Sequence, residues 1–243
     1  MSSFLNNSTI LAALCDGEVN MQGQFLSGSN YTFMTRIAYL EHEITAVYKP
    51  VRGEQPLWDF PSGTLSKREV AAFVVSEGLG WDLVPPTVLR RKLPLGAGSL
   101  QFYVEHDPDY HYFNFDEDDR QRLQPVAVFD LIINNADRKG SHILKDENKH
   151  LWLIDHGVCF HEEDKIRTVI WDFAGKNIPA NLIEDMDNFL DRIKVKDELY
   201  YQLNDLITPL EIASMANRTR HLIESCRFPH PGGSHRPYPW PPV

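Results

Sequence analysis

Cysteine is scarce in this chain of 243 residues: Cys15, Cys159 and Cys226 are odd in number, far apart and never spaced CxxC. That argues against a disulfide framework or a structural zinc site and fits a reducing compartment. Long apolar runs are missing too. No segment approaches the roughly 18 apolar residues of a membrane span, and the amino-terminal MSSFLNNSTILAALCDGEVN has no basic leader. Its short apolar part, Ile10 to Cys15, reads as an amphipathic helix rather than a signal peptide. The expectation is a soluble cytoplasmic protein. Positive charge is in deficit, with 24 Lys and Arg against 34 Asp and Glu and a formal charge of −10, which disfavours nucleic acid and anionic membrane surfaces as partners. HExxH, GxSxG and GxxxxGK[ST] are all absent, so zinc hydrolysis, a nucleophile elbow and a Walker loop have no support.

What is present divides into two kinds of pattern. After the first helix, GQFLSGSNYTFMTRIAYLEHEITAVYKPVRG alternates β-branched and aromatic residues around the small-residue turn Ser27-Gly28-Ser29-Asn30. This spacing predicts a hairpin and a third strand ending at Lys49 and Pro50. SGTLSKREVAAFVVSEGLG then changes to helical period, with Ser66 as candidate N-cap and Gly78 or Gly80 as the stop. VPPTVLRRKLPLGAGSLQFYVEHD supplies two more strands around a glycine-rich turn. The acidic EHDPDYHYFNFDEDD shifts the composition. Beyond it a helical pattern from Asp119 to Ile133 is interrupted by Pro125, HLWLIDHGVCF reads as a strand, and Asn181 to Cys226 reads as helix, with Leu182, Met186, Leu190 and Ile193 on one buried face. The tail FPHPGGSHRPYPWPPV holds six prolines and is expected to lie extended across its own lobe. The fold class is α+β: residues 1–105 form an antiparallel sheet with one helix, and residues 106–243 form a mainly helical lobe.

Between the apolar runs FDLII and LWLID lies a polar knot, Asn134, Asn135, Asp137, Arg138, Lys139 and His142, and the second run stops at Asp155. Asn134 and Asn135 are of the type that satisfies local backbone groups in turns. Asp137-x-x-x-x-His142, followed after a strand by Asp155-His156-Gly157, has the spacing of a catalytic aspartate and a metal ligand ahead of a second metal-binding aspartate. NADRKGSHIL…LIDHG resembles the DRHxxN…DFG arrangement of the phosphatidylinositol 3-/4-kinase-like and HipA-type branches of the protein-kinase-like fold, running in order over roughly residues 23–157. Lys139 stands in place of the family's His, His142 of its Asn, and His156 of the Phe of DFG.

The resemblance implies a two-lobed kinase cleft that binds ATP with Mg²⁺ or Mn²⁺. Ser27, Gly28, Ser29 and Asn30 would cover the phosphates, with Lys49 neutralising them as in V-A-I-K. Glu69 would steady Lys49, although Ser66-x-x-Glu69 is equally a capping box. Val104 is the candidate for the hinge that reads the adenine edge, alongside Phe102 and Glu105. Asp155 and His142 would hold the metal, His142 alternatively packing beneath the loop. Asp137 would orient the acceptor hydroxyl, with Lys139 beside the transferred phosphoryl group. The acceptor is expected to be a protein or a small molecule rather than a membrane lipid, and the sequence is silent on oligomeric state. The replacements at 139 and 142 keep two other readings open, a nucleotide-binding pseudokinase and a nucleotidyl (AMP) transferase.

Overall fold

The computed structural model describes residues 5–25, 31–232 and 236–243; the turn Ser27 to Asn30 lies outside them. Five antiparallel strands, β1 (Glu18–Phe25), β2 (Thr32–Tyr39), β3 (His42–Pro50), β4 (Thr87–Arg90) and β5 (Gly98–Phe102), form one sheet in the order β1-β2-β3-β5-β4. Side chains alternate across a strand. In β3 this puts Ile44, Ala46 and Tyr48 on one buried face and Lys49 on the other. Helix α1 (Asn7–Asp16), capped by Asn6, covers the first face with Ile10, Ala13 and Leu14, which pack with Ile37, Tyr48 and Leu100. Lys49 therefore points away from that core. Its neighbour across the ladder, at Lys49↔Ser99, is preceded by Gly98, where a Cβ would lie 2.4 Å from the Lys49 carbonyl oxygen. Only glycine lets the two strands approach so closely.

Helix α2 (Leu65–Leu79) follows and ends at Gly80 in the left-handed conformation, φ 70°, an αL stop of the expected kind. Its start differs from expectation. Thr64, not Ser66, is the N-cap residue, and it makes no capping bond with its side chain. The carboxylate of Glu54 caps instead, accepting from the Leu65 and Ser66 backbone N–H groups at 3.2 and 2.8 Å and from Ser66 Oγ at 2.7 Å. A carboxylate satisfies orphan donors and opposes the positive end of the helix dipole better than a hydroxyl. With the cap supplied from 11 residues upstream, no capping box forms and Glu69 is free for another partner.

The second lobe contains α3 (Glu117–Gln121), α4 (Gln124–Ile133), the hairpin β6 (Ile143–Lys145) and β7 (Leu151–Leu153), then α5 (Ala180–Val195), α6 (Glu198–Asn204) and α7 (Pro209–Ser225). Pro125 explains the break between α3 and α4: it sits in the first turn of α4, where a missing N–H costs nothing. In α5 the buried face is Leu182, Met186, Phe189 and Ile193, with Leu190 only half-buried. The inner face of α2, including Ala72, Phe73, Val75 and Leu79, belongs to the same apolar core as these helices. Arg68 on α2 reinforces that union. Its guanidinium donates to Glu211 Oε1 on α7 and to the Cys159 carbonyl, both at 2.6 Å, and lies over the Phe60 ring at 4.9 Å. The helix carrying Glu69 is thus fastened to the helical lobe.

Candidate active site

Alternation in β3 and the free inner face of α2 bring two distant residues together. Lys49 Nζ donates to Glu69 Oε1 and, at 3.0 Å, to Asp155 Oδ1. Glu69 is buried, and its second oxygen accepts from the His156 backbone N–H at 2.9 Å. Burial opposes the charge on Lys49, but the carboxylates of Asp155 and Glu69 outweigh it and hold the ammonium above its ordinary value. Lys49 in turn holds the Asp155 carboxyl well below the usual carboxylate range, against the effect of burial. At neutral pH Lys49 is thus cationic and Asp155 anionic. Asp155 adopts φ 63°, a left-handed conformation that aspartate tolerates better than most residues and that recurs at functional sites.

The polar knot is built on a buried network that no local pattern announces. Asp130, on α4 and fully buried, accepts from Arg138 Nε at 3.0 and 3.1 Å, from Asn135 Nδ2 at 3.1 Å and from Thr168 Oγ1 at 3.2 Å. Arg138 also donates to the backbone carbonyls of Ile154 at 2.9 Å and His142 at 3.3 Å. One guanidinium thereby ties the helix, the loop and the stretch that carries Asp155. Arg138 Nη2 lies 2.8 Å from His156 Nε2. A guanidinium can only donate, so Nε2 accepts and the imidazole proton sits on Nδ1. Burial keeps His156 neutral, its pKa well below the ordinary value, and its ring meets Phe129 edge-on at 5.9 Å. It occupies the aromatic seat that the sequence comparison with DFG assigns to phenylalanine. Asn135 serves a local backbone group as expected, accepting from Asp137 N, whereas Asn134 reaches a distant loop, donating to the His161 and Glu163 carbonyls and accepting from Lys165 N.

Asp137 is therefore aimed by its neighbours. It lines the same cavity as Lys49, Glu69 and Asp155, a cleft of about 560 Å³ also bordered by Tyr31, Trp58, Arg167 and the tail. Burial, aided by the Asp155 charge and opposed by Lys139, pushes its carboxyl up to about 6. Lys139 Nζ lies 3.4 Å from Asp137 Oδ2. His142 Nε2 lies 3.4 Å from Asp155 Oδ2, while its buried Nδ1 has no hydrogen-bond partner among the described residues. Burial lowers its pKa to about 4, so it presents a neutral nitrogen lone pair beside an ionised carboxylate. Among the described residues no group of three or more His, Cys, Asp and Glu gathers to hold a metal. One or two carboxylates, with phosphate oxygens and water completing the shell, is the usual way a phosphate-bound Mg²⁺ is held; Asp155 fits that donor set, and the His142 imidazole beside it suits a softer ion such as Mn²⁺.

Lys49, Glu69, Asp137, Lys139, His142 and Asp155 thus converge. Val104 is elsewhere: it is buried, is not among the residues lining this cavity, and its carbonyl oxygen is 2.8 Å from His106 Nδ1. The turn Ser27 to Asn30 lies outside the described residues.

Comparison with known proteins bears on the family and the fold. The family model described as phosphatidylinositol 3- and 4-kinase matches residues 64–210, from the start of α2 into α7. Protein Rv2133c of Mycobacterium tuberculosis is 38% identical, the match covering 95% of this chain and 94% of that protein. Phosphatidylinositol 4-kinase gamma 4 of Oryza sativa subsp. japonica is 32% identical over 43% of this chain and 22% of its own length, and its namesake in Arabidopsis thaliana is 32% identical over 43% and 23%. Among solved structures, the Helicobacter pylori proinflammatory kinase CtkA superposes with a TM-score of 0.53 at 11% identity, covering 88% of this chain and 94% of that one. That last likeness speaks for the two-lobed kinase-like fold. The chain belongs to the phosphatidylinositol 3- and 4-kinase family.

Proposed function

We propose that the protein is an ATP-dependent phosphotransferase acting on a hydroxyl of a protein or small molecule. The observation that carries this reading is the convergence of Lys49, paired with both Glu69 and Asp155, and Asp137 on one cavity. Lys49 neutralises phosphate oxygens, and Glu69 keeps its side chain from swinging away. Asp155 and His142 hold a divalent ion, Mg²⁺ or Mn²⁺, which when bound screens the charge of the phosphates. Asp137 accepts a hydrogen bond from the acceptor hydroxyl and orients its oxygen. That oxygen bonds to the γ-phosphorus as the bond from γ-phosphorus to the bridging oxygen breaks; ADP leaves with the electron pair, and the hydroxyl proton passes to Asp137. Such catalysis is mainly positioning and charge stabilisation, and a loop rigidified through Asp130 and Arg138 suits it.

The test compares wild type with Asp137→Asn for transfer or release of the γ-phosphoryl group from ATP, with nucleotide affinity measured in parallel. The reading expects nucleotide affinity to persist and turnover to be lost. Equal turnover in both proteins would refute the role of Asp137.

A further inference from the structure

The proline-rich tail does more than cover the helical lobe. Its Pro237 carbonyl accepts from the Thr168 backbone N–H at 3.1 Å and from Trp171 Nε1 at 3.3 Å, while its Pro242 carbonyl accepts from the Gly140 backbone N–H at 2.8 Å. Thr168 is paired through the backbone with Arg138, so the two anchors reach the loop at Arg138, through Thr168, and at Gly140, next to Asp137 and Lys139. Between them Tyr238, Pro239 and Trp240 arch over the loop, and with Arg236 they line the cavity that holds Lys49, Asp137 and Asp155. Prolines lower the entropy lost in fixing such an arch. Tail side chains are thereby held at the wall of the cavity that Lys49, Asp137 and Asp155 also line.

Two of the residues that border the cavity are arginines. Arg167 and Arg236 each immediately precede one end of the Thr168–Pro237 hydrogen bond, so they rise from adjacent backbones. Among the described residues neither forms an ion pair within 4.0 Å, although the chain carries ten more acidic than basic residues; Arg167 acts on the Asp137 charge, and Arg236 lies over the Trp240 ring at 5.0 Å. Around them the rim is apolar and open: Tyr31, Trp58, Tyr238 and Trp240 are all exposed, Trp58 by 91%. Lys49 already serves the nucleotide end. Arg167 and Arg236 remain as two guanidinium groups bordering the same cavity, a chemistry suited to a second anion.

Resting on the phosphotransferase reading above, we infer that the acceptor is a small hydroxyl compound that also bears an anionic group, phosphate or carboxylate, read by Arg167 and Arg236 beneath the tail arch. A cavity of about 560 Å³ is of the size that takes a small molecule, and the net negative charge of the chain disfavours an anionic lipid surface.

The experiment titrates inorganic phosphate into the full chain saturated with Mg²⁺ and the non-hydrolysable analogue AMP-PNP, so that the γ-phosphate position is already filled, and reads binding by calorimetry. A saturable phosphate site is expected, weakened about tenfold or more in Arg167→Gln and in Arg236→Gln, as for loss of one charge-assisted contact, with AMP-PNP affinity retained. Glycerol 3-phosphate should compete with phosphate, whereas glycerol, casein and phosphatidylinositol-containing vesicles should not. Absence of a phosphate site on the loaded protein, an equal loss of AMP-PNP affinity in the arginine variants, or competition by vesicles or casein alone would overturn the inference. If AMP-PNP itself does not bind, the kinase reading fails, and an arginine-dependent phosphate site on the unloaded protein would show that the anion site stands apart from it.

Discussion

Lys49 on the sheet and Asp155 after the β6–β7 hairpin are 106 residues apart in sequence and meet at 3.0 Å. The contact joins the two lobes at the point where charge must be managed. Lys49→Met removes the cation facing the phosphates and the group that holds Asp155 ionised, so turnover should fall by about 10² or more, the usual loss for one preorganised electrostatic group. Steady-state kinetics with a thermal melt check this. A variant that keeps its turnover would separate Lys49 from the chemistry.

Asp137 supplies a pH prediction with a definite sign. Its carboxyl is pushed up to about 6, first by burial, while Lys139 pulls it down. Because the ionised form is the one that accepts the hydroxyl proton, kcat/KM should rise with pH through an acid limb near 6. Removing Lys139 takes away the opposing charge, so the limb should move to higher pH in Lys139→Ala. A limb that stays put or moves down would contradict the pairing.

The same shift bears on stability. A folded pKa above the unfolded one means that ionising Asp137 costs stability, a cost that grows as pH rises from the unfolded value through about 6 and is complete above it. Asp137→Asn at pH 7 should therefore lose activity while keeping or raising the melting temperature. A substantial fall in melting temperature would show that the carboxylate is structural.

His142 stands 3.4 Å from Asp155 with one buried nitrogen unpartnered among the described residues. His142→Ala should weaken divalent-ion affinity by about tenfold or more. His142→Asn should shift preference from Mn²⁺ toward Mg²⁺, since oxygen donors suit the harder ion. Activity titrated with each ion checks both, and unchanged titrations would place His142 outside the metal site.

The Arg68–Glu211 pair is buried on both sides, whereas Arg36–Glu43 at 3.2 Å is largely exposed. Breaking the first by Arg68→Met strands a buried carboxylate and should cost about 3–5 kcal/mol. Arg36→Ala should cost about 0–1 kcal/mol. Denaturant midpoints at constant slope measure both.

How much of this was legible in the sequence depended on distance along the chain. Strand alternation around Lys49 and the spacing of Asp137, His142 and Asp155 are local signals, and the fold and the convergence of these residues followed them. The start of α2 was misread because its cap, Glu54, comes from a loop 11 residues away, and no local rule reports that. Asp130 lies inside an apolar run with no motif around it, and its role depends on Arg138 folding back against it. Arg68 and Glu211 are 143 residues apart. The tail's composition announced an extended chain but not the surface it crosses, so Arg167 and Arg236 carried no signal as a pair.

The central claim is γ-phosphoryl transfer, and ATP labelled separately at the α and γ positions tests it most directly. Incubated with the full chain, a divalent ion and candidate hydroxyl acceptors, the γ label should leave ATP for an acceptor or water and the α label should remain in ADP, with both processes lost in Asp137→Asn. Transfer of the α label to a target would identify nucleotidyl transfer, and binding of ATP without release of either label would identify a pseudokinase; either result would contradict the account.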